Sequence, residues 1–207
     1  MSANIFPAHT FLDIASAVYE KGYCVLEDAL PIPLLTALQS HLQNESDLEF
    51  KAAGVGRGLE HVREELIRQD QIAWIEGESA AEQQWLDWAA LLKVSLNQQL
   101  FLGLFAFESH FAHYRIGQFY KRHHDAFRGQ ANRVLSIVTY LNKDWQDSEG
   151  GELIIYSEDG ATIAERVYPR AGTVVVFLSE AFAHEVLPST RDRYSIAGWF
   201  RVNQAVL

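Results

Sequence analysis

The sequence predicts an α+β fold in which a jelly-roll, cupin-like β core is buttressed by N-terminal helices. Two observations carry this. Through the first hundred positions apolar residues recur at steps of three and four, as on a helix with one buried face. From Phe105 onward the pattern changes to short β-rich runs punctuated by Asp, Gly and Pro. That is the signature of a sandwich or barrel rather than of alternating strand–helix–strand units.

The elements follow in order. Phe11 to Lys21 places Leu12, Ile14, Ala15 and Val18 in a helix stopped by Gly22. Tyr23 to Leu26 is a short strand, and Pro31 opens a second helix with Leu34, Leu35, Leu38 and Leu42 on one face. Lys51 to Gly58 has three alternating glycines, Gly54, Gly56 and Gly58, which fit a mobile loop over a site or a plain exposed connector. Their spacing does not match a phosphate-cradling loop. A third helix runs from Ser79 to Leu100 with Ala81, Trp85, Trp88, Leu92 and Leu96 inward. Strands are expected at Phe105–Ile116, Arg133–Asn142, Glu152–Tyr156, Thr162–Tyr168, Thr173–Leu178 and Tyr194–Val202. We expect one domain over 1–207, with 1–100 as helical buttress and loop and 101–207 as the β core that carries the site.

Composition narrows the class. Of 207 residues 48% are apolar, enough for a substantial core, and the formal charge of −10 argues against a nucleic-acid backbone as partner. No apolar run approaches the roughly 18 residues of a membrane span, and the N-terminus lacks the basic and apolar regions of a signal peptide. Cys24 is the only cysteine, which excludes an intrachain disulfide and fits a reducing, cytoplasmic setting.

The chemistry-bearing pattern is His123-x-Asp125 followed by His184 and then Arg193. Two imidazoles and a carboxylate on one side of a metal leave the opposite side open, the arrangement of a non-haem Fe(II) site. In an extended segment alternate side chains point the same way, which aims His123 and Asp125 together and His124 elsewhere. An isolated H-x-D is more often a surface histidine and a turn aspartate; His184 and Arg193 in register change that balance. Arg193 stands in an otherwise apolar strand, where a buried guanidinium needs an anionic partner. His110 and His113 fall on opposite faces of their strand and read as structural. Trp74, Trp85, Trp88 and Trp145 read as core or hinge packing, and Gly150-Gly151 as the turn entering a strand.

Several blocks carry a resemblance. Ile67-Arg-Gln-Asp-Gln-Ile-Ala-Trp-Ile-Glu-Gly77, Tyr120-Lys-Arg-His-His-Asp125, Tyr140-Leu-Asn-Lys-Asp-Trp145, Gly150-Gly-Glu-Leu153 and His184 through Trp199 resemble the Fe(II)- and 2-oxoglutarate-dependent prolyl hydroxylases. The similarity is to those that modify hypoxia-inducible factor and to their bacterial counterparts. It implies a double-stranded β-helix with Fe(II) held by His123, Asp125 and His184. It implies 2-oxoglutarate bound by Arg193, Tyr140 and Tyr120, O₂ as the second co-substrate, and ascorbate as an accessory. Tyr114 and Trp199 would lie on the substrate side, with the loop at Gly54, Gly56 and Gly58 folding over the target. The implied reaction is trans-4-hydroxylation of a prolyl residue in an exposed protein loop, with elongation factor Tu as a candidate target and oxygen sensing as a candidate role.

Competing readings are an oxygenase acting on another side chain or a small molecule, a non-catalytic metal-dependent sensor or interaction module, and a zinc hydrolase. No obvious general base accompanies the ligands, and a distal Arg fits keto-acid chelation better than hydrolysis.

Overall fold

Helix α1 (Ala8–Lys21) ends at Gly22, which takes φ 75 and returns its amide to the Val18 carbonyl at 2.9 Å. Strand β1 (Tyr23–Leu26) follows at once, and α2 (Ile32–Gln43) begins just after Pro31. In this computed structural model the described residues are 8–43, 48–53, 66–126 and 132–203; Gly54, Gly56 and Gly58, and with them the expected loop, lie outside these. Helix α3 (Ala80–Leu100) is capped by Ser79, whose hydroxyl accepts from the Glu82 amide at 3.1 Å. No helix among the described residues is long and apolar enough to cross a membrane.

The strands form two antiparallel sheets. The larger has the order β1, β9 (Val174–Leu178), β6 (Arg133–Tyr140), β11 (Arg193–Arg201), β4 (Ala106–Tyr114), β3 (Gln71–Trp74) and β2 (Lys51–Ala52). The smaller has the order β5 (Tyr120–His123), β10 (His184–Val186), β7 (Leu153–Tyr156) and β8 (Ile163–Val167). All the pairings are antiparallel, as the jelly-roll expectation requires.

Period-two alternation distributes each central strand between two cores. In β9, Val174 and Val176 face Phe11, Ile14, Leu38, Trp88 and Leu92 of the helices, whereas Val175 and Phe177 face Leu153, Ile155 and Val186 of the smaller sheet. The helices therefore cover one face of the large sheet and the small sheet covers the other. The second interface is the one that opens into the site. The first hundred residues do more than buttress, since β1, β2 and β3 join the large sheet.

Apart from β1, which the sequence also predicts, four strands lie outside the six expected runs. β2 and β10 span two and three residues, too few to display a period. β3 is four residues, Gln-Ile-Ala-Trp, with little alternation, and β5 is Tyr-Lys-Arg-His, without an aliphatic residue.

Candidate metal centre

His123 closes β5 and His184 opens β10, and the antiparallel register sets them directly opposite one another. Their rings lie 4.2 Å apart between centroids. Asp125 arrives differently from the expectation of strand alternation. The strand stops at His123, and Asp125 sits in the bend beyond it, where Ser136 Oγ of β6 donates to Oδ2 at 2.6 Å. The carboxylate lies 3.6 Å (Oδ1) from His123 Nε2 and 3.7 Å (Oδ2) from His184 Nε2. One ligand atom from each of the three residues falls within 4.8 Å of the others. His124 is exposed at the cavity rim and stands outside this set.

The donors are arranged to receive a cation. His123 Nδ1 faces the Lys121 carbonyl at 2.8 Å and His184 Nδ1 faces the Phe182 carbonyl at 3.2 Å. A carbonyl only accepts, so each Nδ1 carries the proton and each Nε2 lone pair is left for a metal. Burial pushes His184 down to about 4, against the pull of Asp125, and the ring is neutral at ordinary pH. Burial alone would raise Asp125, but the facing His184 and His123 and the hydrogen bond from Ser136 outweigh it and hold the carboxyl well below its usual range. Two neutral imidazoles and one carboxylate are a fitting donor set for Fe(II).

A cavity of about 300 Å³ extends from the triad between the sheets. At its inner end Arg193 is 1% exposed; its Nε donates to the Gly151 carbonyl at 2.9 Å and Nη1 to Ser195 Oγ at 3.2 Å. No carboxylate pairs with it among the described residues. Gly150 and Gly151 both hold positive φ, 71 and 73, and a Cβ on Gly150 would stand 2.6 Å from the Pro188 carbonyl oxygen, so the turn that presents the Gly151 carbonyl requires glycine. The Tyr140 hydroxyl is buried without a formed hydrogen bond, its ring 5.1 Å from the guanidinium. Burial pushes Tyr140 up to about 12, against the opposing charge of Arg193. An unpaired guanidinium beside an orphaned hydroxyl, both dry, is a receptor for an anion.

The remaining expected residues fall around this axis. Tyr114, expected toward the substrate, is the register partner of Arg193, with the guanidinium 5.0 Å from its ring, and so lies at the inner end. Tyr120 stacks on His123 at 3.5 Å, with the Arg68 guanidinium 4.9 Å from its ring. Trp199 lines the cavity with its indole N–H buried and unpartnered, and Arg133 lies 3.7 Å from the Trp199 ring.

Some cavity residues are not legible in the sequence. Trp74 is a correction: it is half exposed at the cavity wall rather than packed in the core, whereas Trp85, Trp88 and Trp145 are buried. His110 stands between Trp74 and Trp199, at 5.3 and 5.5 Å, on the cavity face, while His113 points to the opposite face against Tyr194. Arg68 and the fully buried Asp70 side chain form a two-pronged pair at 2.6 and 2.9 Å on the cavity wall. The Arg68-x-Asp70 alternation was the one available signal for it.

Comparison with known proteins agrees with this geometry. Residues 109–201 match the 2OG-Fe(II) oxygenase superfamily. A Pseudomonas putida prolyl-4-hydroxylase of known structure is 39% identical and superposes with a TM-score of 0.83, covering 94% of this chain and all of that one. Egl nine homolog 1 of Mus musculus is 31% identical over 150 residues, which are 65% of this chain and 35% of that protein; the chain spans well under half the length of the curated relatives it matches. A Trichoplax adhaerens prolyl hydroxylase, solved with a peptide of hypoxia inducible factor, shares the fold at TM-score 0.80 and 23% identity, over 93% of this chain and 89% of that one. The chain belongs to the 2OG-Fe(II) oxygenase superfamily, as a member of the prolyl hydroxylase type.

Proposed function

We propose that this oxygenase hydroxylates a prolyl residue, at the trans-4 position, in an exposed loop of a protein. The observation that carries the reading is the open three-ligand cluster sharing one cavity with a dry Arg193 that has no carboxylate partner among the described residues, the orphaned Tyr140 hydroxyl lying beside that guanidinium. Fe(II) held by His123, Asp125 and His184 would supply, with 2-oxoglutarate and O₂, the oxidation that places one oxygen atom in a C–H bond while the co-substrate leaves as succinate and CO₂.

The chain's own residues bind, orient and exclude water. Arg193 and Tyr140 hold the distal carboxylate of 2-oxoglutarate, in the planar two-pronged geometry a guanidinium favours. Tyr114 closes that end. Tyr120 keeps the His123 ring in place by stacking and shields the co-substrate from solvent. At the other end Trp74, Trp199 and Arg133 form an aromatic and cationic mouth suited to a flat, apolar pyrrolidine ring within a polypeptide. A peptide rather than a free amino acid is supported by the exposed Trp74 indole at the cavity wall, since an exposed large aromatic side chain in a cleft suits a macromolecular partner. Cys24 is buried and its thiol is pushed by burial up to about 11, so it stays protonated at ordinary pH and takes no part in the chemistry proposed. Elongation factor Tu is the candidate target that the resemblance suggests, and ascorbate a candidate reductant.

The test is incubation of the Fe(II)-loaded protein with 2-oxoglutarate, O₂ and the host proteome, followed by peptide mass spectrometry. One added oxygen on a prolyl residue, with succinate formed in step, is expected. Hydroxylation of another side chain or of a small molecule only, with no modified proline, would replace this reading by that of an oxygenase with a different acceptor.

A further inference from the structure

Behind the Asp125 carboxylate lies a pair of buried serines to which the reaction assigns no step. Ser136, inside β6, donates to Asp125 Oδ2 at 2.6 Å, and its Oγ lies 2.9 Å from Ser179 Oγ, just past the end of β9. The two are 1% and 0% exposed. Ser179 is itself fixed, its amide donating to the Val134 carbonyl of β6 at 3.0 Å.

Counting hydrogens gives this chain a direction. An ionised carboxylate only accepts, and a hydroxyl carries a single hydrogen. Ser136 commits its hydrogen to Asp125, so the hydrogen between the serines belongs to Ser179. The order is Ser179 to Ser136 to Asp125, running from the turn just past β9 through β6 to Asp125 in its bend. Hydrogen bonds to a charged acceptor in dry surroundings are stronger than neutral ones, and successive bonds polarise each other. The chain occupies one side of Oδ2 and leaves the carboxylate facing both histidines, Oδ1 3.6 Å from His123 Nε2 and Oδ2 3.7 Å from His184 Nε2.

We propose that Ser136, oriented by Ser179, is a positioning residue of the metal centre: it locks the Asp125 carboxylate in the orientation that faces His123 and His184. This rests on the reading of His123, Asp125 and His184 as metal ligands. Asp125 stands in a bend outside any strand, and the hydrogen bond from β6 selects one of its rotamers and ties it to the large sheet. Two serines that only filled space would tolerate alanine without consequence for the metal.

The test is Mn(II) titration of the metal-free, full-length protein, with free Mn(II) read by electron paramagnetic resonance. Wild type is compared with Ser136→Ala, Ser136→Thr, Ser179→Ala and the double alanine variant. Ser136→Ala should weaken Mn(II) binding about ten- to a hundredfold, the usual range for a lost partner of a metal ligand. Ser136→Thr, which keeps the hydroxyl, should restore most of it. Ser179→Ala should weaken binding less, and the double variant should be no weaker than Ser136→Ala, because Ser179 acts only through Ser136. The visible bands of the Co(II)-loaded protein should change in Ser136→Ala and return in Ser136→Thr. A folded Ser136→Ala protein that binds Mn(II) as tightly as wild type overturns the proposal. If that variant fails to fold, Ser179→Ala decides: unchanged Mn(II) affinity there overturns it equally. A wild type that binds neither Mn(II) nor Co(II) removes the metal reading itself and this proposal with it.

Discussion

The two sheets divide the site between them, and they are built to different standards of rigidity. The large sheet is covered on both faces; Arg193 of the cavity wall, with the buried Tyr140 and Ser136 behind the site, stands in β11 and β6, strands with a neighbour on each side. The small sheet offers His123 from the end of a four-residue strand and His184 from the start of a three-residue one. A buried cation needs fixed, dry surroundings to favour a single anionic partner. A metal that must accept exchangeable ligands needs an open side, and short strand ends provide it. On the proposed reading, the difference teaches that co-substrate recognition is set by the frame, whereas metal capture is set at its margin.

The largest expected effect breaks the margin alone. Asp125→Ala should remove metal binding and turnover from a protein whose circular dichroism and melting are close to wild type, since the bend carries little of the core. Wild-type rates in the purified, metal-reconstituted variant would end the assignment.

Next comes the frame. Arg193→Ala should raise the 2-oxoglutarate Kd roughly thirtyfold or more, taking about 2–5 kcal/mol for truncating one partner of a buried charge pair. Arg193→Lys should recover only part, because an ammonium cannot reproduce the fork. Calorimetry on Mn(II)-loaded protein checks both. If neither changes affinity, another cation holds that carboxylate, although Arg201 is already engaged by Glu108.

Acid separates the regions less sharply. Burial pushes His110 down to about 4 in the folded chain, with Arg68 lowering it further and Asp70 opposing. An unfolded histidine titrates near 6.5. Between those values the native state binds fewer protons, so stability is lost as the pH falls from about 6.5 to about 4 and levels off below. The loss is at most about 3 kcal/mol for this one group. Urea midpoints of the metal-free protein at pH 7 and 4.5 should show it, and His110→Phe should remove part of it. His184, also held near 4, accounts for a similar share in the absence of metal.

The smallest effect lies farthest from the chemistry. Ser79→Ala removes the cap of α3 and should lower stability by about 1 kcal/mol, with 2-oxoglutarate affinity unchanged. A comparable loss of affinity would mean that the helices do more than cover the sheet.

Much of this was legible in the sequence, and for identifiable reasons. The helices announced themselves through long apolar periods and through Gly22 and Pro31 at their ends. Thr173-Val-Val-Val-Phe-Leu178 read as a buried strand because β9 is covered on both faces. The triad was legible from residue type, and Arg193 from a charge in an apolar run. What stayed hidden depends on distant partners. Ser136 and Ser179 are ordinary residues until a fold brings them together, and Trp74 looks like core until its strand is found beside the cavity. Asp125 was expected from strand alternation, yet it is aimed by a hydrogen bond from another sheet.

Residues 67 to 74 leave one further consequence. Ile67 accepts from the Lys121 amide at 2.8 Å and the Gln69 amide donates to Phe119 at 3.1 Å, along the outer edge of β5; a few residues later the same segment is β3, paired to β4 of the other sheet. One continuous stretch of backbone is thus a member of both walls where they diverge. Its amides form a natural reporter of mouth breathing. In hydrogen–deuterium exchange, Gln69 and Lys121 should open together as a single sub-global unit, slower than a surface loop and faster than β11.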